Sequence, residues 1–300
     1  MMEMPVVLLH KERSTNTLQL GAFAVFLFLY GWNTRERGNQ HGTIASKISA
    51  IRWHHRVMVG YEPETDAGHA LLMQALKRLS KPVAKKHPLT ARMLRGIFSL
   101  LDMNQSGHQL VWGLLLIGYF FLLRRGEFLK VDGKWEKYVL LFGDAQFYDE
   151  SERPCKARRA TMVGIVLRGG KNNQFGRNEI RYQFATGDPI LCPVRGLAWI
   201  RIANRVHKTQ PWEPIARAGS NHGVENRHVV QLLKEVAVVL GLNPANYSSH
   251  SIRIGGTTSL LNSGANPLVI KLLGRWLSDC YQSYPVLTSK GTVGVSKLMC

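Results

Sequence analysis

Between His250 and Tyr284 the chain carries the residue types that attack on a phosphodiester requires. The stretch reads His250-Ser-Ile-Arg253-Ile-Gly-Gly, then an apolar run, then Gly274-Arg275-Trp276, with Tyr284 nine residues beyond Arg275. A histidine and an arginine three apart share one face of a helix. Arginine presents a planar fork of donors to two phosphate oxygens. Histidine and tryptophan add N–H donors, and a tyrosine oxygen can become covalently linked to phosphorus. Charge that builds on the non-bridging oxygens is met by pre-placed donors, each worth roughly a hundred- to thousand-fold in rate. A tyrosine with an ordinary pKa near 10 needs neighbouring cations to lose its proton. The leaving hydroxyl needs a general acid, and Lys171, at the tip of Arg168-Gly-Gly-Lys171-Asn-Asn-Gln-Phe-Gly-Arg177, is the natural one.

The charge balance suits a polyanionic partner. Among 300 residues, 39 Lys and Arg outnumber 20 Asp and Glu, a formal net charge of +19. Residues 1–86 hold 12 basic and 6 acidic side chains and the remainder 27 and 14, so the excess is not confined to one tail. Nucleic acid touched along much of the molecule is the expectation; the alternative is a basic protein with a solvated face. A hydrophobic content of 45% with 20% charged residues is that of a globular chain. The four cysteines lack zinc-site spacing and are too few for a disulfide framework. The apolar runs Leu18–Trp32 and Leu110–Leu123 fall short of the ~20 residues of a membrane span, and the N-terminus lacks a signal pattern. An intracellular protein is expected, nuclear in a eukaryote and otherwise cytoplasmic, with no cofactor and no metal.

Several elements must position these residues. Helices are predicted over 14–30, 44–59 (capped by Thr43), 70–79, 90–102 and 107–123 from capping residues and helical spacing. The second repeats Ile44, Ile48, Ile51 and His55 on one side, with Lys47, Arg52, His54 and Arg56 elsewhere. Residues 80–90, basic and twice interrupted by proline, give the boundary between domains at 1–86 and 87–300. The period then changes: 138–148, 161–167 and 178–184 read as strands, with the lysine-tipped loop as the hairpin between the last two. Helices resume at 193–207 and 226–240. The fold class expected is mainly α with a small antiparallel β-sheet (α+β).

Taken together these pieces resemble the tyrosine recombinases, or phage-type integrases. Leu123-Arg124-Arg125-Gly126-Glu127 is similar to the segment carrying the family's first catalytic arginine, which assigns it to Arg124. Lys171 resembles the hairpin lysine, His250-Ser-Ile-Arg253 the His-x-x-Arg box, and Tyr284 the nucleophile. Arg275-Trp276 stands where many members carry His, or Trp. The resemblance implies a helical core-binding domain followed by a catalytic domain. It also implies double-stranded DNA as partner, a 3′-phosphotyrosyl intermediate formed without metal or ATP, and two protomers per site and four in a synapse. Lys47, Arg52, Arg56, Lys85, Lys86, Arg168 and Arg177 are then candidate DNA contacts. Gly-Gly-Thr-Thr after Arg253 and Gly-Arg-Trp-Leu-Ser-Asp before the tyrosine resemble the Crypton-type and DIRS-like members of eukaryotic mobile elements. The 16 residues after Tyr284 are few for the segment that relatives exchange between protomers.

Each residue also has a plain structural explanation. Arg124-Arg125 could cap the preceding helix, Lys171 could be solvated, and His250 and Arg253 could satisfy a helix start and a surface ion pair. Trp276 could fill a core, Gly255-Gly256 could permit close packing, and Tyr281 could replace Tyr284 as the exposed phenol. Their joint order on a strongly basic chain favours the chemical reading. Alternatives to recombination are relaxation of the type IB topoisomerase kind and a mobile-element relic that binds DNA without cutting it. A basic RNA-binding protein is more remote, for want of aromatic stacking motifs.

Overall fold

The computed structural model describes residues 12–31, 33, 37–82, 85–170, 176–219, 222–277 and 282. The chain divides into two compact units, Met1–Ala84 and Lys85–Cys300.

In the first unit, α1 (Arg13–Leu29), α2 (His41–Met58) and α3 (Ala67–Leu79) enclose Leu20, Ala24, Leu27, Ile44, Ile48 and Leu76. The expected Ile44/Ile48/His55 face of α2 is the buried one. Two helix starts differ from those predicted. The Gln40 carbonyl accepts the Thr43 and Ile44 N–H groups, so α2 begins at His41 with Thr43 inside its first turn. Asp66 accepts the N–H groups of Gly68 and His69 and starts α3 at Ala67.

The second unit is built around α5 (Ser106–Phe120), which buries almost every residue between Gln109 and Tyr119. It follows α4 (Ala91–Leu100), which Thr90 caps through the Met93 N–H. Helix α5 stops three residues short of its predicted end. Leu122 adopts a left-handed conformation, φ 51°, which a helix cannot continue through, and the Leu123 N–H turns back to the Gly118 carbonyl. Arg124 is therefore extended and opens a separate single turn, α6 (Arg125–Phe128), instead of capping α5.

Three antiparallel strands follow in spatial order β1 (Ala145–Tyr148), β2 (Met162–Leu167) and β3 (Glu179–Phe184). Their register pairs Ala145 with Ile165 and Leu167 with Glu179. The first strand is shorter than predicted: the buried Asp144 carboxylate accepts the Leu141 N–H at 2.9 Å and curls 142–144 into a 3-10 turn. Helices α7 (Pro193–Val206), α8 (Asn226–Val239), α9 (His250–Asn262) and α10 (Pro267–Gly274) complete the unit. The architecture is the expected one, mainly helical with a small antiparallel sheet.

Two glycines decide where α9 lies. A Cβ on Gly255 would stand 2.1 Å from the Leu89 carbonyl oxygen, and one on Gly256 2.4 Å from that of Tyr119. The absence of side chains lets α9 sit directly on the end of α5, one turn from where the chain releases Arg124. The packing explanation of Gly255-Gly256 is thus correct, and packing is what brings Arg253 to the site.

Candidate active site

Glu127 organises the site. This buried carboxylate accepts the Arg124 backbone N–H at 2.7 Å, as the third residue of a capping box does, and Arg124 Nη1 at 3.0 Å. Its other contact comes from across the fold, where Arg275 Nη2 donates to Oε2 at 2.5 Å. Burial alone would raise the Glu127 pKa. The charge and hydrogen bond of Arg275, with the N–H and charge of Arg124, outweigh it and hold the group below the ordinary carboxylate range. Arg275 reaches Glu127 because it closes α10 in the left-handed region, φ 55° and ψ 47°. A non-glycine residue there carries about 1–3 kcal/mol of strain, which the paired guanidinium offsets.

Arg253 ties the same two segments together from beneath. Its Nη1 donates to the Leu122 carbonyl at 2.5 Å, and its Nη2 donates to the Gly274 carbonyl. The guanidinium lies 4.1 Å from the centre of the Trp276 ring, a distance at which ring and cation attract. Trp276 in turn packs with Leu122 and Ile270. Arg253 is 3% exposed, so it is not the surface ion-pair partner of the plain explanation. Trp276 does fill a small core, but one whose other face is a cation of the site.

His250 opens α9 on the solvent side, its backbone N–H directed at Ser248 Oγ. Partial desolvation, reinforced by the charges of Arg253 and Arg125, lowers its pKa from 6.5. It is neutral at pH 7 and offers one donor and one acceptor.

Above these groups lies a cavity of about 170 Å³ walled by Arg124, Gly170, Arg181, Lys271, Arg275 and Trp276. A Cβ added to Gly170 would lie 3.7 Å from Arg275 Nη1 and 3.8 Å from Arg124 Nη1, so the foot of the β2–β3 hairpin abuts both arginines. Lys171, the next residue, lies outside the described residues, as do Tyr284 and Tyr281. The structure thus brings together Arg124, Arg253, Arg275 and Trp276, with His250 within the field of Arg253. It gives the Arg275/Trp276 question a geometric form: both line the cavity, Arg275 beside Arg124 and Trp276 with its ring against Arg253.

The candidate DNA contacts are dispersed. Arg52 and Arg56 both pair with Glu62, at 2.9 and 3.4 Å, and Lys47 is half-buried. Lys86 Nζ donates to the Ala245 carbonyl at 2.6 Å, while Lys85 and Arg177 are exposed. Arg168 grips Asp144 with Nε and Nη2, at 3.0 and 2.7 Å. Sequence reasoning missed three residues. Glu127 had a signal, a carboxylate three places after Arg124 in a capping pattern. Arg181 and Lys271 had none, since only the fold turns them into one cavity. Among the described residues no His/Cys/Asp/Glu group suits a metal ion, and no helix is long and apolar enough to cross a membrane.

No family model and no curated protein matches the sequence. Similarity appears among solved structures. The Tn1549 transposon integrase in complex with transposon right end DNA matches at a TM-score of 0.58 and 11% identity, over 99% of this chain and 88% of that one. The same integrase with circular intermediate DNA matches at 0.55 and 11%, over 95% and 86%. XerH site-specific recombinase bound to palindromic difH substrate, in a post-cleavage complex, matches at 0.51 and 11%, over 95% and 80%. At such identity the likeness is one of fold, and the fold is that of the tyrosine recombinases to which the sequence motifs pointed.

Proposed function

We propose that this chain is a site-specific DNA recombinase that cuts and rejoins strands through a 3′-phosphotyrosyl bond. The observation that carries the reading is the clamp in which Glu127 joins Arg124 to Arg275 while Arg253 stacks on Trp276, all beneath one cation-walled cavity. Oppositely placed donors of this kind suit a phosphoryl group on which negative charge grows.

In the proposed mechanism the Tyr284 phenol gives its proton to water under the pull of the neighbouring cations, and its oxygen attacks the scissile phosphorus and forms a phosphotyrosyl ester. The bond from phosphorus to the 5′ oxygen breaks, and Lys171 gives that oxygen its proton. Arg124, Arg253 and neutral His250 donate to the non-bridging oxygens, with Arg275 and Trp276 completing the cradle. Rejoining reverses the steps: a 5′ hydroxyl attacks and tyrosine leaves. The energy of the broken linkage is kept in the ester, so neither ATP nor a metal is required. The first unit serves as the core-binding domain, with Lys47, Arg52 and Arg56 toward DNA; Lys85, Lys86, Arg168 and Arg177 add phosphate contacts from the second. Two protomers occupy a site and four a synapse. The Gly-Gly-Thr-Thr and Gly-Arg-Trp-Leu-Ser-Asp segments favour a eukaryotic mobile element as its source, which would make the protein nuclear.

Covalent trapping on a nicked duplex, with EDTA present, tests this. The termini of the host element are the first DNA to try. Unmodified protein and Tyr281→Phe should both yield a DNA–protein adduct and Tyr284→Phe none. An adduct that survives Tyr284→Phe, or that EDTA abolishes, overturns the mechanism. Relaxation of supercoiled plasmid without strand exchange would replace recombination by topoisomerase activity, and tight binding without any adduct would replace it by a DNA-binding relic.

A further inference from the structure

Cleavage as proposed needs His250 held in place, yet His250 is the first residue of α9, where backbone N–H groups have no partner within the helix. Ser249 stands at the N-cap and offers α9 no side-chain cap. The turn before the helix is closed locally: the Ser251 N–H donates to the Ser248 carbonyl at 2.8 Å, and the Ser248 N–H to Ser251 Oγ at 3.1 Å. What fixes this turn to the rest of the unit comes from a distant part of the chain.

Residues 86–89, just inside the start of the second unit, lie against the turn as a short extended clip. The His87 N–H donates to the Asn246 carbonyl at 2.8 Å, and the Leu89 N–H to the Ser251 carbonyl at 2.9 Å. Donors two residues apart on one edge have the spacing of an extended chain. The His87 ring stands edge-on to Tyr247, with 5.9 Å between centres and 81° between planes, and Lys86 Nζ donates to the Ala245 carbonyl. The Leu89 carbonyl fills the space that a side chain on Gly255 would take, and the next residue, Thr90, caps α4. The contacts therefore fall on both sides of His250, at Ala245, Asn246 and Tyr247 before it and at Ser251 and Gly255 after it.

We propose that residues 86–89 hold His250 in its working position, with His87 a positioning residue that acts through its ring contact with Tyr247. This rests on the recombinase reading and adds to it a requirement outside the cavity: the entering chain must be seated on the turn before α9. Misplacing a donor to the phosphate costs rate, whereas affinity for DNA is governed by the sum of its phosphate contacts. The clip is thus a condition for cleavage and not for binding.

The test follows adduct formation by the whole chain on the nicked duplex at saturating DNA, with affinity measured in parallel by anisotropy. An edge-on ring pair is worth roughly three- to tenfold in an equilibrium, so His87→Ala should slow the adduct by about that factor and leave affinity unchanged. His87→Phe, which keeps a ring, should restore the rate. The same His87→Ala change is then made in His250→Ala. If the clip acts through His250, the second substitution costs nothing further there. An equal loss in both backgrounds marks a general effect on the fold and overturns the proposal. So does an unchanged rate in His87→Ala, which leaves the recombinase reading standing, or a loss of affinity with the saturated rate intact. No adduct from the unmodified chain overturns the recombinase reading and this inference with it.

Discussion

Glu127→Gln is the perturbation that separates an organised site from an accidental cluster of charges. The substitution keeps shape and one acceptor oxygen but removes the negative charge and turns the other oxygen into an N–H₂ donor. Three hydrogen bonds converge on this carboxylate, two of them from guanidinium groups whose side chains are 27% (Arg124) and 11% (Arg275) exposed. Removing one partner of a buried pair costs about 3–5 kcal/mol. Arg124 keeps access to water, so the low end, about 3 kcal/mol, is expected from urea unfolding of the second unit. The pH dependence gives an independent check. The folded pKa lies below the unfolded value of 4.5, so the stabilisation is fully present above pH 4.5 and is lost as pH falls through the folded pKa. The gap between unmodified protein and Glu127→Gln should therefore close on acidification from pH 6 toward 3. A gap under 1 kcal/mol at pH 7, or one that widens in acid, refutes the role of Glu127 as the hub.

Other perturbations follow from the same contacts. Gly255→Ala places a methyl 2.1 Å from the Leu89 carbonyl oxygen and should destabilise the second unit by about 1–3 kcal/mol, read as a drop in Tm. Arg253→Lys keeps the charge but not a planar fork able to serve the Leu122 and Gly274 carbonyls at once. It should lower both stability and the adduct yield, whereas a pure phosphate contact would affect yield alone. In the first unit, burial and the charge of Arg52 lower the pKa of His69 from 6.5. A folded pKa below the unfolded one means that stability is full above pH 6.5 and erodes as pH falls beneath it. His69→Gln should flatten that part of the pH–stability profile, and an unchanged profile counts against the assignment.

The sequence was most legible where burial repeats with the period of an element. Ile44, Ile48 and His55 mark the inner face of α2, and the apolar run of α5 is buried on every side. Ends of elements were less so, because single interactions fix them. Asp66 accepts two N–H groups and moves the start of α3; Leu122 takes a positive φ and cuts α5 short. Asp144 curls a segment whose composition reads as strand. No propensity foretells a left-handed leucine, whose cost the surrounding core repays through contacts made by other elements.

The site was legible in its residue types and only partly in their uses. Arg253 directs two donors at backbone carbonyls, which every residue possesses, so no sequence pattern announces the partners. The same holds for the charge count. A net +19 suggests many cations turned outward to DNA, yet Arg52, Arg56, Lys86 and Arg168 are each held by a protein oxygen. These tethers are unequal. Pairs between exposed groups are worth about 0–1 kcal/mol, so a phosphate can displace Glu62 from Arg56 with little loss. Asp144 is 5% exposed and shapes the turn before β1, so taking Arg168 from it leaves a buried carboxylate with the Leu141 N–H as its remaining named donor, a larger loss than at an exposed pair. Of these two tethered cations, Arg56 is the one a phosphate takes at the smaller cost and Arg168 the one it takes at the larger, so salt-dependent binding should depend more on Arg56 than on Arg168.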